Sequence, residues 1–352
     1  MIAVFTPHHI LHNPPKEFIS NQVVAYGESP ERVELIYEAL MDVGGVELTR
    51  ARQFDLRHFH KIHSPDYLEY LQGAYKEWID AGLWTEGIMP EFFAIGRMRD
   101  LPLSKSPVGK AGYYMTDSCT MIVKDTWEAV RFSGFTALTG AELLLKGEPY
   151  VFSLCRPPGH HAGYDFSGGY CFVNNAALAA KYLQDQGSSE QDGRIKAAIL
   201  DLDFHHGNGT QDIVQRLGNI LLISIHGDPS FSYPYITGFA SENTGKNINF
   251  PLPPGTNDDE YFNVFHEAVS TINQYGAQYL VISLGVDTFE KDSLGNFKLS
   301  SGIYSRMAEH LLGEMKIPVL IVMEGGYNTE FLASNVLSFL TPFIERHSSK
   351  RS

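Results

Sequence analysis

The chain has 352 residues, 43% of them hydrophobic and 19% charged. That composition excludes a disordered, collagen-like or polar linker protein, and the length suits one large α/β domain or two smaller ones. Its 41 acidic and 27 basic residues give a formal charge of −14, which argues against nucleic acid as a partner and is compatible with a cationic substrate.

The three cysteines, Cys119, Cys155 and Cys171, are odd in number and widely spaced. Neither a disulfide framework nor a cysteine zinc cluster is expected. Met1 to Phe5 lacks a basic region and is too short an apolar run for a signal peptide. No stretch approaches the ~20 apolar residues of a membrane span. The expectation is a soluble, cytoplasmic protein with no membrane partner.

In chain order, residues 31–42, 65–81 and 125–145 read as helices. Residues 82–110 read as an irregular insertion, broken by Pro90, Pro102 and Pro107 and dotted with Phe92, Phe93 and Met98. A loop that long is usually functional or partner-binding. From residue 151 the pattern alternates. Residues 151–154, 197–202, 220–225, 279–284 and 319–323 are short, apolar, β-branched strands. Residues 175–186, 259–275, 304–315 and 331–339 are helical, with a capping-type start at Asn257 and Asp258. Such alternation predicts a parallel sheet with helices on both faces. The end, from His347, reads as a polar, frayed tail.

Four segments rich in His, Asp, Gly and Tyr follow predicted strands. They are Arg156-Pro157-Pro158-Gly159-His160-His161, Asp201-Leu202-Asp203-Phe204-His205-His206-Gly207-Asn208-Gly209, Leu284-Gly285-Val286-Asp287 and Glu324-Gly325-Gly326-Tyr327. Ligands of parallel sheets sit beyond the carboxyl ends of strands, so these four can converge. Asp203 and His205, two apart in extended chain, point the same way. With Asp287 they make a set of two carboxylates and one imidazole that fits a catalytic divalent metal with an open position. A lone Asp-x-His is a weak signal, and a Glu-Gly-Gly-Tyr could be a tight turn. Two His-His pairs beside glycines are harder to explain as packing.

Together these segments, with Gly168-Gly169-Tyr170-Cys171-Phe172 and Thr288-Phe289-Glu290, resemble the histone-deacetylase-like amidohydrolases, and most of all their acetylpolyamine amidohydrolase branch. The match runs from the His8-His9 region to about Leu340. It implies an arginase/deacetylase-like three-layer α/β/α fold with a central, mostly parallel eight-stranded sheet. Residues 1–345 would form one catalytic domain and 346–352 a tail.

The resemblance also implies residue roles. Asp203, His205 and Asp287 would hold Zn2+, or alternatively Fe2+. His161 would be general base and then general acid, oriented by Asn208. His160 would be an electrostatic stabiliser paired with Asp201. Tyr327 would donate to the developing oxyanion. Gly169, Tyr170, Tyr233 and Leu294 would line a tunnel for a slender acylated amine, with Glu17 near its entrance. Structural K+ would be held by Asp201, Asp203, His205, Ser224 and Ile225, largely through carbonyls, with a second site near Val214, Leu217 and Ile220. The insertion at 82–110 would serve homodimerisation and narrow the entrance.

One departure concerns the substrate. Val108 and Cys119 stand where the branch carries glutamates that hold distant ammonium groups, with Asp117 close by. The expected reaction is hydrolysis of an acetylpolyamine or acetylated diamine to acetate and free amine. An acetyl-lysine side chain of a protein or peptide is the alternative. An arginase-like binuclear hydrolase would need more ligands than Asp201 and His160 can spare, and an idle acetyl-ligand binding module would not need a complete ligand set.

Overall fold

Strands β1 (Ile2–Phe5), β4 (Glu47–Arg50), β5 (Tyr150–Ser153), β6 (Ala197–Asp201), β7 (Ile220–Gly227), β8 (Asn247–Leu252), β9 (Tyr279–Leu284) and β10 (Val319–Met323) form one sheet in the order β4-β1-β5-β10-β9-β6-β7-β8. Every pairing in it is parallel. The structure is a computed structural model and describes residues 1–19, 22–187 and 195–349. A separate antiparallel hairpin joins β2 (Glu17–Ile19) to β3 (Gln22–Val24).

The helices are α1 (Glu31–Asp42), α2 (Pro65–Asp80), α3 (Pro107–Tyr114), α4 (Thr126–Leu145), α5 (Asn175–Gly187), α6 (Asn208–Arg216), α7 (Asp258–Tyr275), α8 (Gly302–Glu314) and α9 (Leu332–Ser349). They divide between the two faces. Ala198 and Leu200 of β6 face a core shared with α1, α7, α8 and α9. Ala197 and Ile199 face the other way, into a core built with α2 to α6. The two-residue period of a strand thus feeds two cores from one continuous apolar run. The expected three-layer architecture is present, and its sheet is wholly parallel.

Local chemistry sets several boundaries. Ser64 accepts the Tyr67 N–H ahead of Pro65, a favourable N-terminal start for α2. Asn257 and Glu260 form a reciprocal capping box at α7, and Gly276 ends it in a left-handed turn.

Two expectations need correction. Helix α9 continues through Pro342 to Ser349 instead of ending near residue 339. The predicted tail boundary at 345/346 therefore falls inside a helix, and the His347 ring is buried against Glu148. Residues 350–352 lie outside the described residues. The insertion at 82–110 is also less structureless than expected. Residues Gly96–Asp100 form a 3-10 turn, and its end enters α3.

The strands followed by the four His/Asp/Tyr segments are β5, β6, β9 and β10. They are consecutive in the sheet, in the order β5-β10-β9-β6. Because all run the same way, their carboxyl ends meet along one short stretch of edge.

Candidate active site

Asp203, His205 and Asp287 come together beyond β6 and β9. Their ligand atoms all lie within 4.8 Å of one another. His205 Nδ1 sits 3.2 Å from Asp203 Oδ1 and 3.0 Å from Asp287 Oδ2. Burial opposes a charge on His205, but the flanking carboxylates outweigh it and push its pKa up to about 10. Burial, then Asp203, raises Asp287 to about 7. Two buried carboxylates converging on one imidazole nitrogen need a cation, and mixed oxygen and nitrogen donors suit a borderline divalent ion. Gly325 leaves them room: a Cβ there would press on both the Asp203 and Asp287 carboxylates. The residues present fit a metal site.

A second group, His160, Cys171 and Glu324, has similar proximity. Its donors are otherwise engaged. Glu324 accepts the Gly159 and His160 N–H groups at 2.7 and 3.2 Å, and Cys171 Sγ lies 3.3 Å from the Gly169 carbonyl. This group braces the loop that carries the tandem histidines. The candidates for a second catalytic ion, Asp201 and His160, are bonded to each other at 3.1 Å.

The two histidines differ as their partners differ. Burial lowers His160, but Asp203 and Asp201 more than reverse this and carry it up to about 10. His161 Nδ1 instead meets the Asn208 side-chain oxygen at 2.7 Å. Burial, with His160 and His205 nearby, holds His161 well below its ordinary value. The different partners thus push the two rings in opposite directions, His160 upward and His161 downward.

Tyr327 lies on the loop after β10. Burial pushes its phenol above the ordinary range, so it stays protonated and able to donate. Its N–H and that of Asn328 both go to Asp292 Oδ2, at 2.7 and 3.0 Å, while Asp292 Oδ1 accepts the Leu294 N–H at 3.0 Å. Arg32 donates to the Glu324 and Gly326 carbonyls and lies 5.0 Å from the Tyr327 ring centre.

A cavity of about 590 Å³ opens onto this centre. His161, His205, Gly169, Tyr170, Tyr233, Leu294 and Tyr327 are among the residues that line it. Gly169 adopts φ +51°, and any Cβ there would collide with the His161 ring. Tyr170 is also left-handed, at φ +66°. Its hydroxyl donates to Glu17 Oε2 at 2.7 Å, and Gly27 N–H meets Glu17 Oε1 at 2.8 Å. Glu17 is thus buried behind the wall, and burial raises its pKa. Tyr233 is no surface aromatic: its ring stands edge-on to His161 at 4.9 Å.

The expected potassium residues are neighbours, since the sheet register pairs Asp201 with Ser224. The Ser224 side chain is bonded to His226 Nδ1 at 2.8 Å. Of the second set, Val214 and Ile220 are fully buried. Cys119 lines the cavity, whereas Val108 packs against the α2–α6 core.

Sequence reasoning missed Glu28, Arg32, Arg156 as an ion pair, and Asp292. Glu28 Oε1 takes both Arg32 Nη1 at 2.7 Å and Arg156 Nε at 2.9 Å, all of them buried. Their i, i+4 spacing was visible for Glu28 and Arg32, but it usually marks an exposed helical pair.

Comparison with known proteins agrees with this geometry. The histone deacetylase domain model matches residues 26–342. Acetylpolyamine amidohydrolase 2 of Pseudomonas aeruginosa is 39% identical over 352 residues, covering 99% of this chain and all of that one. Acetylpolyamine amidohydrolase of Mycoplana ramosa is 38% identical, covering 97% and 98%. The crystal structure of an acetylpolyamine aminohydrolase from Burkholderia pseudomallei superposes with a TM-score of 0.90 at 31% identity, covering 97% and 98%. A chain whose full length follows these relatives, and whose four motifs meet at one sheet edge, belongs to the histone deacetylase domain family.

Proposed function

We propose that this chain is a metal-dependent deacetylase that hydrolyses the acetyl amide of an aliphatic primary amine, an acetylpolyamine or acetylated diamine. The observation that carries the reading is the convergence of Asp203, His205 and Asp287, with His205 lining the same cavity as His161 and Tyr327. The acetylpolyamine amidohydrolases that match it along nearly their whole length support the substrate class.

Asp203, His205 and Asp287 would hold the ion, Zn2+ or Fe2+. A divalent ion there supplies Lewis-acid polarisation of the acyl carbonyl and makes water more acidic. Neutral His161, steadied by Asn208, takes a proton from the attacking water and returns it to the leaving amine. His160, paired with Asp201, stabilises negative charge at the reacting centre. Tyr327 donates a hydrogen bond to the carbonyl oxygen as charge develops on it. Gly169, Tyr170, Tyr233 and Leu294 exclude water and admit only a slender chain. Acetate and free amine leave.

Structural K+ held at Asp201, Asp203, His205, Ser224 and Ile225, with a second ion near Val214, Leu217 and Ile220, is part of the same proposal. So is a homodimer through residues 82–110, which expose Phe92, Ile95, Met98 and Leu101. No helix among the described residues is long and apolar enough to cross a membrane, which accords with a cytoplasmic enzyme. The test compares acetate release from N-acetylputrescine and from an acetyl-lysine peptide by zinc-loaded protein. A preference for the diamine is expected; a preference for the peptide would overturn the substrate assignment.

A further inference from the structure

Among the described residues that line the cavity there is no free carboxylate. Of its described lining residues, Asp117 alone is acidic and none is Lys or Arg. Asp117 is already saturated. Its Oδ1 accepts from Cys119 N, Cys119 Sγ and Thr120 N at 3.1, 3.2 and 2.9 Å. Its Oδ2 accepts from Gly169 N and the Tyr233 hydroxyl at 2.6 and 2.9 Å. Five donors exceed the roughly four lone-pair positions of a carboxylate. Asp117 is therefore a clamp between two tunnel walls, with no capacity left for an ammonium group. Glu17 is turned inward onto Tyr170 and Gly27.

What the mouth does present is aromatic surface. Phe18, Phe231 and Tyr235 line the same cavity and are 42%, 65% and 61% exposed. Tyr235 is held there in a left-handed conformation, φ +65°, and its ring stands at 81° to that of Tyr233. A large exposed side chain in a conformation disfavoured for non-glycine residues points to a use for its position. Aromatic faces are electron-rich and attract ammonium groups. In a chain of charge −14, at a mouth with no basic side chain among its described lining residues, a cation is favoured over an anion.

We propose that Phe18, Phe231 and Tyr235 form a subsite that holds the distal ammonium group of an alkyl-amine substrate on aromatic faces. This rests on the deacetylase reading above and adds the group that recognises the far end of the substrate.

The test uses zinc-loaded protein and two acetamides of equal length: N-acetyl-1,5-diaminopentane, and N-hexylacetamide, in which a methyl replaces the ammonium. The variant F231L/Y235L keeps apolar bulk and removes the ring faces. Its KM for the diamine derivative is expected to rise about tenfold, roughly threefold per face, with kcat unchanged and KM for N-hexylacetamide unchanged. Equal changes for both substrates, or none for either, would overturn the subsite. So would a fall in particle mass by light scattering with both KM values rising together, which would mark the rim as a subunit contact. If wild-type protein cleaves neither compound, the deacetylase reading fails on its own. Titration calorimetry then decides the subsite: tighter binding of the charged amide, lost in F231L/Y235L, supports it, and equal binding overturns it.

Discussion

One oxygen of Asp292 accepts the backbone N–H of Tyr327 at 2.7 Å, and its other oxygen holds Leu294 at 3.0 Å. A single, largely buried carboxylate thus ties the loop carrying the phenol to the wall of the tunnel. Replacing Asp292 with Ala releases both. A displacement of about 1 Å at a reacting group can cost on the order of 100-fold in rate. We expect a fall in kcat near that size, with an unchanged metal content. Asp292→Asn, which keeps one acceptor oxygen, is expected to recover part of it. Steady-state kinetics beside thermal melting checks this; equal losses in both variants would mean that the carboxylate only supports folding.

Tyr327→Phe removes the donor and little else. Loss of one such donor costs about 10²–10³ in kcat. The fall is expected in kcat and in kcat/KM alike, because the bond strengthens only as charge develops. Metal analysis of the same preparation should show no loss of ion. Turnover at the wild-type rate would remove Tyr327 from the reaction.

Glu28→Ala tests the buried charge cluster. It leaves the Arg32 and Arg156 guanidinium groups without their shared carboxylate inside the protein. Breaking a buried pair in this way typically costs about 3–5 kcal/mol. Urea unfolding should show a loss of that order. A change under about 1 kcal/mol would mean that water or backbone carbonyls satisfy both arginines.

The buried His63 ring makes one contribution to stability that acid removes. His63 Nδ1–H donates to the Gly163 carbonyl at 2.7 Å, and its Nε2 accepts the Asn174 N–H at 3.0 Å. Both nitrogens are satisfied only when the ring is neutral. Burial lowers its pKa from 6.5 to about 4. Below pH 6.5 the unfolded chain takes up a proton that the folded chain refuses until about pH 4. Stability is therefore full above 6.5 and falls as pH drops through that window, by up to about 3 kcal/mol for this ring. His226, also lowered to about 4 by burial, adds to the same slope. Other buried groups, His160, His205 and Asp287, are shifted upward and oppose this slope, so the ring's share is read as a difference: the urea-midpoint advantage of wild type over His63→Gln should shrink from pH 7.5 to 6.0 to 4.8. A constant difference would show that the His63 pKa is not lowered in the fold.

Much of the sheet was legible in the sequence because its central strands are buried on both faces and read as unbroken apolar runs. β9 and β10 fall where the pattern places them. The edges were not legible. β4, Glu-Leu-Thr-Arg, and β8, with Pro251, carry polar or ring-closed residues that only an edge tolerates. β1, Ile-Ala-Val-Phe, is as long as β5, but it lies outside the strand–helix alternation that marks the others. Helix α9 outran its expected end because Pro342 marks a break locally, while apolar packing on both sides of it, through Phe339, Leu340, Phe343 and Ile344, holds the helix together.

The candidate site was legible for a different reason. Asp203, His205, His160 and His161 are dense in chemistry and sit directly after strands, so their spacing and the resemblance both pointed to them. Asp292 and Glu28 act through tertiary bonds to loops far away in sequence, and no local pattern marks them. Asp117 shows the limit from the other side. Its position near the entrance suggested a cation anchor, and only its five donors make it a clamp.

The most direct test is acetate release from N-acetylputrescine by chelator-stripped protein, before and after re-addition of zinc. No release before, and full release after uptake of one ion per chain, is the expected result. Stripped protein that works as fast as reloaded protein, or reloaded protein that releases no acetate, would contradict a metal-dependent deacetylase built on Asp203, His205 and Asp287.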